Sequence, residues 1–171
     1  GALRIIVNTG DDFEHLGLAI SPDVDTTLYT LAGLANTELG WGREGETWSF
    51  MSALQVLGGP TWFRLGDGDL ALHVERTRRL AAGETLTEFV ADIARRFGIT
   101  ARIMPMSDDP VRTMVHTADA RELGFQEYFV GERCAPAVAK LRYAGAAAAR
   151  ISSAAAESLQ DPGLQAIVIA P

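Results

Sequence analysis

Leu3-Arg4-Ile5-Ile6-Val7-Asn8-Thr9-Gly10-Asp11-Asp12 opens the chain with an apolar, β-branched run that ends in an acidic loop. A strand that is continuously apolar is typical of a parallel sheet covered on both faces. In open α/β sheets, ligands bind next to the carboxyl ends of the strands. The stretch therefore predicts an α/β fold with a ligand site just after Val7.

The spacing of apolar residues indicates further helices and strands along the chain. Helices are predicted at 26–39 with Asp25 as N-cap, at 47–57, from Asp67 or Asp69 to 83, at 85–97 and at 153–159. Strands are predicted at 101–106, 112–117, 123–130, 141–143 and 166–170, with a hairpin turn at 118–121. This order indicates a layered α/β domain with a parallel sheet, a helical segment and a small antiparallel hairpin insertion. We expect one domain over residues 1–171, and a partial one, because both ends of the chain lie in strand-like runs.

The composition excludes several classes of protein. Of the 171 residues, 47% are hydrophobic and 22% are charged, which is typical of a folded globular domain. The net charge of −7 argues against nucleic-acid binding, because affinity for phosphate backbones depends on Lys and Arg. No apolar run is long enough to span a membrane, and the single cysteine, Cys134, excludes an internal disulfide. These features fit a protein of a reducing cytosol that binds neither membranes nor nucleic acids.

Two acidic clusters lie after the first strand, at Asp11-Asp12 and at Asp23-Val24-Asp25. Carboxylate oxygens at a strand end suit Mg²⁺, which typically binds one or two carboxylates together with phosphates of the substrate. Asp25 also opens the first predicted helix, whose N-terminal N–H groups would attract an anion. Spacing alone leaves a second interpretation open, in which Asp25 is an ordinary N-cap and Asp11-Asp12 is a solvated turn.

A further group of polar residues lies in Arg64-Leu65-Gly66-Asp67-Gly68-Asp69 and continues to His73. Asp69 and His73 are four residues apart, so both would face one side of a helix start. Arg64 is a candidate clamp for a phosphate or a carboxylate, because guanidinium groups bind both in a bidentate manner. The alternative is a Gly-Asp turn that caps a helix, with His73 half-buried.

Two later motifs also offer both a functional and a structural interpretation. Ser107-Asp108-Asp109 follows the predicted strand 101–106 and supplies carboxylates and a hydroxyl, but this composition is also common in turns. In the stretch 125–129, alternation would place Phe125, Glu127 and Phe129 on one face of a strand. The aromatic rings either form a wall that stacks on a flat ligand or belong to the core.

Five motifs occur together in a fixed order: Asn-Thr-Gly-Asp-Asp (8–12), Ser-Pro-Asp-Val-Asp-Thr (21–26), Gly-Asp-Gly-Asp-Leu-Ala-Leu-His (66–73), Pro-Met-Ser-Asp-Asp-Pro-Val (105–111) and Phe-Gln-Glu-Tyr-Phe-Val (125–130). In this combination the chain resembles the 2-phospho-L-lactate transferase family, the CofD/FbiA enzymes of coenzyme F-420 biosynthesis. The resemblance implies a Rossmann-like α/β core. It also implies transfer of a phospholactyl or phosphoenolpyruvyl group from lactyl-2-diphospho-5'-guanosine, or its enolpyruvyl analogue, to the deazaflavin alcohol Fo, with release of GMP. Mg²⁺ as cofactor, a cytoplasmic location and a homodimer are implied as well.

The resemblance further implies roles for individual residues. Metal binding falls on Asp12 and Asp23, and on Asp11 beside them. Asp25 matches the family position that contacts the acceptor alcohol, so it is the predicted catalytic residue, which orients or deprotonates that hydroxyl. The other predicted substrate-binding residues are Arg64, Asp67, Asp69, His73, Ser107 and Asp108.

Two departures from the family pattern concern phosphate binding. Gly68 stands where family members usually carry Arg, which removes a cation beside the phosphates. The family's first strand with its glycine-rich phosphate loop has no match here, and neither has its later Ser-Asn-Pro segment. If these 171 residues are the whole molecule, we therefore expect an incomplete donor site and weak or no activity.

Two other functions compete with the transferase. Regulators of the gluconeogenesis-factor type share this kind of core and bind nucleotide sugars, although the motif at 21–26 argues for the transferase. The second alternative is a non-catalytic fragment that keeps metal-binding loops without turnover.

Overall fold

The computed structural model describes residues 2–170. Its strands are β1 (Arg4–Val7), β2 (Phe13–His15), β3 (Leu18–Ile20), β4 (Arg102–Pro105), β5 (Arg112–Thr117), β6 (Glu122–Gly124) and β7 (Val138–Ala144). Its helices are α1 (Pro22–Leu31), α2 (Ser49–Val56), α3 (Asp67–Ala81), α4 (Leu86–Arg96) and α5 (Ser153–Leu159). A π-helical turn covers Glu127–Gly131.

The parallel part of the fold pairs β1 with β4, in a register that sets Val7 opposite Pro105. Both strands therefore end at the same edge, and the loops that follow Val7 and Pro105 leave from there. α4 packs against the pair with an apolar stripe of Leu86, Phe89, Val90, Ile93 and Ala94. Residues of α1 and α3 complete this core, which confirms the predicted layered α/β architecture.

β1 is covered on one face only, whereas the sequence pattern predicts a strand buried on both faces. Val7 and Ile5 pack into the core with α1 and α4, while Ile6 is 39% exposed. Successive residues of a strand point to opposite faces: α1 and α4 cover the face of Val7, whereas on the opposite face α5 contacts Met104 of β4 and leaves Ile6 partly exposed. The apolar run therefore identifies the strand correctly but overstates its burial.

α1 begins and ends earlier than predicted. Ser21 is its N-cap and Pro22 its first residue, a position where the N–H that proline lacks would have no helical partner anyway. Asp25 is therefore not the N-cap but lies one turn inside the helix, where it is buried. Gly33, with φ +67, ends the helix, and the N–H of the following residue donates to the Tyr29 carbonyl at 2.8 Å. This arrangement is a Schellman motif, which stops the helix well before residue 39.

The later helices follow their predicted signals closely. α4 has the predicted capping box, in which the Glu88 N–H donates to Thr85 Oγ1 and the Thr85 N–H donates to the Glu88 carboxylate. α3 begins at Asp67, directly after the N-cap Gly66. Ser152 caps α5 by accepting a hydrogen bond from the first turn.

The antiparallel part of the fold is a hairpin with one added strand. β5 and β6 form the predicted hairpin, and β7 pairs with the free edge of β5. The predicted strand 123–130 is wrong beyond Gly124, because the Glu127 carboxylate accepts a hydrogen bond from the Gly124 N–H at 2.9 Å and the chain turns helical. Phe125 and Phe129 then stack, with their ring centroids 5.6 Å apart.

A second hairpin, formed by β2 and β3, has no clear sequence signal, because each strand has only three residues. It leads the chain from the acidic loop after β1 back to the start of α1. At its base the Ser21 hydroxyl donates to the Asp12 carboxylate at 2.8 Å. The hairpin thus fixes the two acidic clusters of the sequence next to each other.

Residues 166–170 form no strand, contrary to the prediction. Ile167, Val168 and Ile169 are between 65% and 92% exposed, and no described strand pairs with them. Their side chains fit a strand pattern, but a strand forms only where a partner binds its backbone N–H and C=O groups. None of the helices within residues 2–170 has the length and apolar character needed to cross a membrane.

Candidate functional site

A cavity of about 670 Å³ lies where the loop after β1 meets the first turns of α1 and α3. Its acidic lining consists of Asp11, Asp23, Asp25 and Asp69. Its aromatic lining consists of Tyr29, Trp41, Trp62, Phe63, Phe125 and Phe129. A cavity with apolar walls and a few convergent polar groups is the usual form of a small-molecule site.

Asn8 joins two of the acidic side chains. Its amide nitrogen donates to Asp11 at 3.2 Å and to Asp23 at 2.8 Å, while its amide oxygen accepts from the Gly10 N–H at 2.9 Å. Burial raises the pKa of Asp11, and the charge of Asp23 raises it further. Two carboxylates that repel each other across one amide supply hard oxygen ligands, which fits a divalent cation such as Mg²⁺.

Arg76 is fully buried and forms an ion pair with Asp25. Its two terminal nitrogens bond the two oxygens of Asp25, and one of them also lies 3.3 Å from Nδ1 of His73. On the other side of the ring, Nε2 of His73 lies 3.1 Å from an Asp69 carboxylate oxygen, so the imidazole sits between Arg76 and Asp69. Arg76 therefore balances the buried charge of Asp25 and fixes the orientation of its carboxylate.

Tyr29 completes this network from the neighbouring turn of α1. Its hydroxyl donates to Asp69 at 2.6 Å. Burial raises the pKa of Asp25, against the opposing charge of Arg76. Burial alone would also raise the pKa of Asp69, but the contacts with His73 and Tyr29 outweigh it and lower that pKa. Asp25 is therefore the stronger base of the two.

Asp25, Asp69 and His73 also approach one another closely enough to share a metal, with ligand atoms within 4.8 Å. The guanidinium of Arg76 bonds Asp25 and His73, however, and its positive charge repels a cation at short range. Tyr29 already occupies one oxygen of Asp69. Asp11 and Asp23, by contrast, have no described guanidinium hydrogen-bonded to them and are bridged only by the Asn8 amide.

Aromatic side chains form much of the remaining wall. Phe125 and Phe129 stack with their planes only 8° apart, and Trp62 packs edge-on against Phe63 with centroids 5.6 Å apart. The polar side chain of Gln126 is buried beside them. Phe125 and Phe129 line the cavity instead of filling the core, so the interpretation as a ligand-stacking wall is favoured.

Arg64 reaches the cavity from the loop before α3. Its guanidinium lies 4.1 Å from the centroid of the Trp48 ring, a distance typical of a cation–π contact. This contact holds the side chain in place without using its N–H groups. Arg64 can therefore still bind a phosphate or carboxylate, as the sequence predicts.

The structure brings together most of the predicted site residues but not all of them. Those that line the cavity are Asp11, Asp23, Asp25, Arg64, Asp69 and His73. Those that lie outside it are Asp12, Asp67, Ser107 and Asp108.

Asp12 points into the protein. Its Oδ2 accepts a hydrogen bond from the Ser21 hydroxyl, and its Oδ1 has no partner among residues 2–170. Burial raises its pKa to about 7. In this geometry Asp11, and not Asp12, pairs with Asp23.

Asp67, Ser107 and Asp108 bond to structural groups away from the cavity. Asp67 accepts hydrogen bonds from two N–H groups in the first turn of α2, each at 3.0 Å. Asp108 accepts one from the Thr87 N–H in the first turn of α4 at 2.8 Å, and Ser107 donates to a backbone carbonyl at 2.6 Å. The two carboxylates satisfy helix N-termini that would otherwise lack partners.

Sequence reasoning misses Tyr29, Arg76, Trp41 and Trp62. The first two stand four residues after Asp25 and three residues after His73, so helical spacing could have indicated them. The two tryptophans lie in loops, where no periodic pattern shows which way a side chain points.

The family model described as "2-phospho-L-lactate transferase CofD" matches residues 1–171. The chain belongs to the CofD family. The resemblance drawn from the five motifs is thereby confirmed, and the cavity lies where four of those motifs meet in the fold.

Named relatives of this CofD-family chain are transferases of two kinds. The phosphoenolpyruvate transferase of Kitasatospora aureofaciens is 44% identical over 132 residues, which cover 75% of this chain and 41% of that protein. The 2-phospho-L-lactate transferase of Methanopyrus kandleri is 45% identical over 143 residues, which cover 83% of this chain and 46% of that protein. The chain thus spans less than half the length of these curated relatives. The two identities are too similar to separate one kind of donor from the other.

Among solved structures, the chain is similar to a protein of the UPF0052 family from Bacillus halodurans, determined at 2.60 Å resolution. The TM-score is 0.51 at 11% sequence identity, and the match covers 91% of this chain and 47% of that chain. At this identity the likeness concerns the fold alone. It agrees with the α/β architecture described above.

Proposed function

We propose that the protein is a transferase of the kind its family name describes. It moves a phospholactyl or phosphoenolpyruvyl group from a guanosine-diphospho donor to the terminal hydroxyl of Fo, which gives coenzyme F-420-0 or its dehydro form and GMP. The observation that carries the proposal is Asp25, held by the fully buried Arg76 at the wall of an aromatic cavity, in a chain of the CofD family. A nucleotide-sugar-binding regulator is not favoured, because the family and the named relatives are transferases.

Asp25 is the proposed acceptor for the proton of the attacking hydroxyl. Arg76 bonds both of its oxygens, but each oxygen keeps a second lone pair for the alcohol. The hydroxyl oxygen forms a new bond to phosphorus, the bond from phosphorus to the GMP oxygen breaks, and the proton passes to Asp25. Burial raises the pKa of Asp25 and so makes it a better base for this transfer.

Mg²⁺ is part of the proposal, with Asp11 and Asp23 as the residues that hold it. Both carboxylates accept hydrogen bonds from the Asn8 amide nitrogen. A cation bound between them would replace these N–H donors and neutralise the repulsion between the two negative charges. When bound, the metal neutralises negative charge on the phosphates and so favours their approach to the acidic cavity. Asp12 then contributes indirectly, because it holds Ser21 at the start of the helix that carries Asp23 and Asp25.

The aromatic wall is the proposed site for the ring system of Fo. Phe125 and Phe129 offer parallel faces, and Trp62 and Phe63 offer edges, which together suit a flat tricyclic ligand. Arg64, Asp69 and His73 then face the polar side chain of that ligand. The homodimer and the cytoplasmic location that the resemblance implies belong to this proposal too.

Calorimetric titration of Fo into the protein tests the substrate. We expect saturable binding, and Phe129→Ala should weaken it by about fivefold, because a stacked aromatic pair contributes on the order of 1 kcal/mol. Leu141→Ala is the matched control, since Leu141 is a similarly exposed apolar residue on β7, outside the cavity. Absence of Fo binding by the unmodified chain would refute the proposed substrate.

Turnover is tested separately, as Fo-dependent release of GMP in the presence of Mg²⁺, in a form extended to the length of the relatives. Asp25→Asn should lower kcat by at least about 100-fold, the usual contribution of a general base. Normal turnover by this variant would remove Asp25 from the mechanism. Circular dichroism shows whether each variant is folded.

A further inference from the structure

Arg43 lies in the loop between α1 and α2 and packs beside the cavity. The central carbon of its guanidinium is 5.5 Å from the centroid of the Tyr29 ring. Its Nε is 3.9 Å from the Glu46 carboxylate, too far for a hydrogen bond. Within residues 2–170, the guanidinium of Arg43 donates no hydrogen bond.

Arg43 therefore has an ion-pair neighbour in Glu46 but no hydrogen-bond acceptor among the described residues. Nε of Arg43 is sheltered from water and has no acceptor in the described chain. The other arginines that are at least partly sheltered do find acceptors: Arg76 and Arg79 bond carboxylates, and Arg112 donates to a backbone carbonyl. A sheltered donor without an acceptor is unfavourable, so a group that accepts from Arg43 would stabilise it.

The guanidinium adjoins the functional cavity. It lines a narrow cleft together with Glu46 and Trp48, and this cleft shares Trp41, Gly42 and Asp69 with the main cavity. Arg43 does not line the main cavity itself, and the cleft is only about 10 Å³, so a ligand group reaches Arg43 by entering from the cavity past Asp69 and widening the cleft. The adjacent carboxylate of Glu46 accepts hydrogen bonds from the Gly68 and Asp69 N–H groups at 2.7 and 2.8 Å, which hold it 3.9 Å from Nε of Arg43.

Gly68 makes room for Arg43. It lies in the first turn of α3 and has no positive φ, so the backbone itself does not require glycine there. A Cβ at this position would lie 2.9 Å from a terminal nitrogen of Arg43 and 3.0 Å from the Glu46 carboxylate. Any larger residue would therefore push the guanidinium away from the cavity wall.

We propose that Arg43 is a phosphate-binding side chain in the cleft beside the cavity and that Gly68 is the residue that makes room for it. The planar fork of the guanidinium matches two phosphate oxygens. No neighbouring group of the described chain offers the fork a pair of acceptors. The nature of the ligand rests on the proposed function, in which a diphosphate donor enters this cavity. Arg43 is in that case a specificity-determining residue for the donor, whereas the aromatic wall selects the acceptor.

Inorganic pyrophosphate, titrated in buffer with Mg²⁺, is the probe for this site. Arg43→Ala and Arg43→Gln should each weaken pyrophosphate binding by about tenfold, while Arg43→Lys should lose only a few-fold because it keeps the charge but not the fork. Arg78→Ala is the control, since Arg78 is an exposed arginine on the outer side of α3 that pairs with Glu75. Equal binding by the Arg43→Ala and Arg78→Ala variants would overturn the proposal, and so would the absence of pyrophosphate binding by the unmodified protein.

A reciprocal exchange tests the role of Gly68. Gly68→Arg alone should lower both the melting temperature and the affinity for pyrophosphate, because two guanidinium groups then compete for one space. Gly68→Arg combined with Arg43→Ala should restore the affinity to within about threefold of the unmodified protein, because one cation is again present at the cleft. A double variant that binds no better than Arg43→Ala would overturn the assignment of Gly68.

Fo binding by the same variants separates the two proposals. Arg43→Ala should leave the affinity for Fo within about twofold, because a single lost contact on the phosphate side leaves the stacking wall unchanged. Absence of Fo binding by the unmodified protein would refute the proposed function. The pyrophosphate series would still decide the role of Arg43.

Discussion

The acidic loop after β1 and the acidic loop after β4 begin at the same edge of the sheet but serve different purposes. Asp11 faces the cavity and shares the Asn8 amide with Asp23. Asp108 turns away and accepts hydrogen bonds from the Thr87 N–H and hydroxyl, at the start of α4. What separates the two loops is the neighbouring backbone. A carboxylate next to a helix start that still has a free N–H is bound by it, and one without such a neighbour stays available to a ligand.

The largest effect should come from breaking the network behind the cavity. Arg76→Met should destabilise the protein by about 3–5 kcal/mol, because the Asp25 carboxylate is then buried without a partner. Urea unfolding of the variant and of the unmodified protein measures this difference. Arg78→Met is the control, with a nearly unchanged midpoint, because its ion pair with Glu75 is exposed to water. If both variants lose the same stability, the buried ion pair of Arg76 contributes no more to the free energy of unfolding than the exposed pair of Arg78, and the described contrast is wrong.

A second test uses Asp12, the buried member of the first acidic loop. Burial raises its pKa to about 7, so the folded state holds the proton more tightly than the unfolded state does. The stability that this group contributes is therefore complete at low pH and is lost as the pH rises towards 7. Asp12→Asn cannot ionise and should be more stable than the unmodified protein at pH 8, by up to about 4 kcal/mol, with little difference at pH 4.

The experiment is denaturant unfolding across this pH range, with EDTA present to remove metals. A stability difference that does not vary with pH would contradict the buried state of Asp12. Ser21→Ala provides a second check, because the Ser21 hydroxyl lowers the pKa of Asp12. Its loss should move the pH-dependent step to a higher pH.

The smallest effect should come from the loop after β4. Asp108→Ala removes the acceptor of the Thr87 N–H in the first turn of α4, beside the Thr85 cap, and should cost about 1 kcal/mol of stability. Fo affinity should stay within about twofold, because Asp108 does not line the cavity. Thermal unfolding and calorimetry measure the two quantities. A large loss of Fo binding would show that this loop reaches the ligand after all and would remove the contrast between the two loops.

Local signals predict the elements whose structure is decided locally. The capping box of α4 and the hairpin of β5 and β6 depend on residues close in sequence, and both are confirmed. The end of α1 and the helical turn after Gly124 depend on hydrogen bonds that a periodicity count does not contain. The three-residue strands of the β2–β3 hairpin are too short to give any pattern.

The candidate site shows the same limit more strongly. Residue type and strand-end position correctly suggest Asp11, Asp23 and Asp25 as neighbours of one cavity. They cannot show that Asp12 turns inward, because its direction is set by the contact with Ser21 across the base of a hairpin. They also give no weight to Arg76, whose role depends on a partner 51 residues away in sequence.

The π-helical turn at Glu127–Gly131 means that the number of residues in this segment, and not only their type, controls the geometry of the aromatic wall of the cavity. A π-turn holds one more residue than an α-turn of the same chain. Loss of a single codon between Phe125 and Phe129 would shorten their separation to three and swing the second ring by about 100° around the axis. The geometry of the aromatic wall can therefore change in one evolutionary step that leaves every core residue in place.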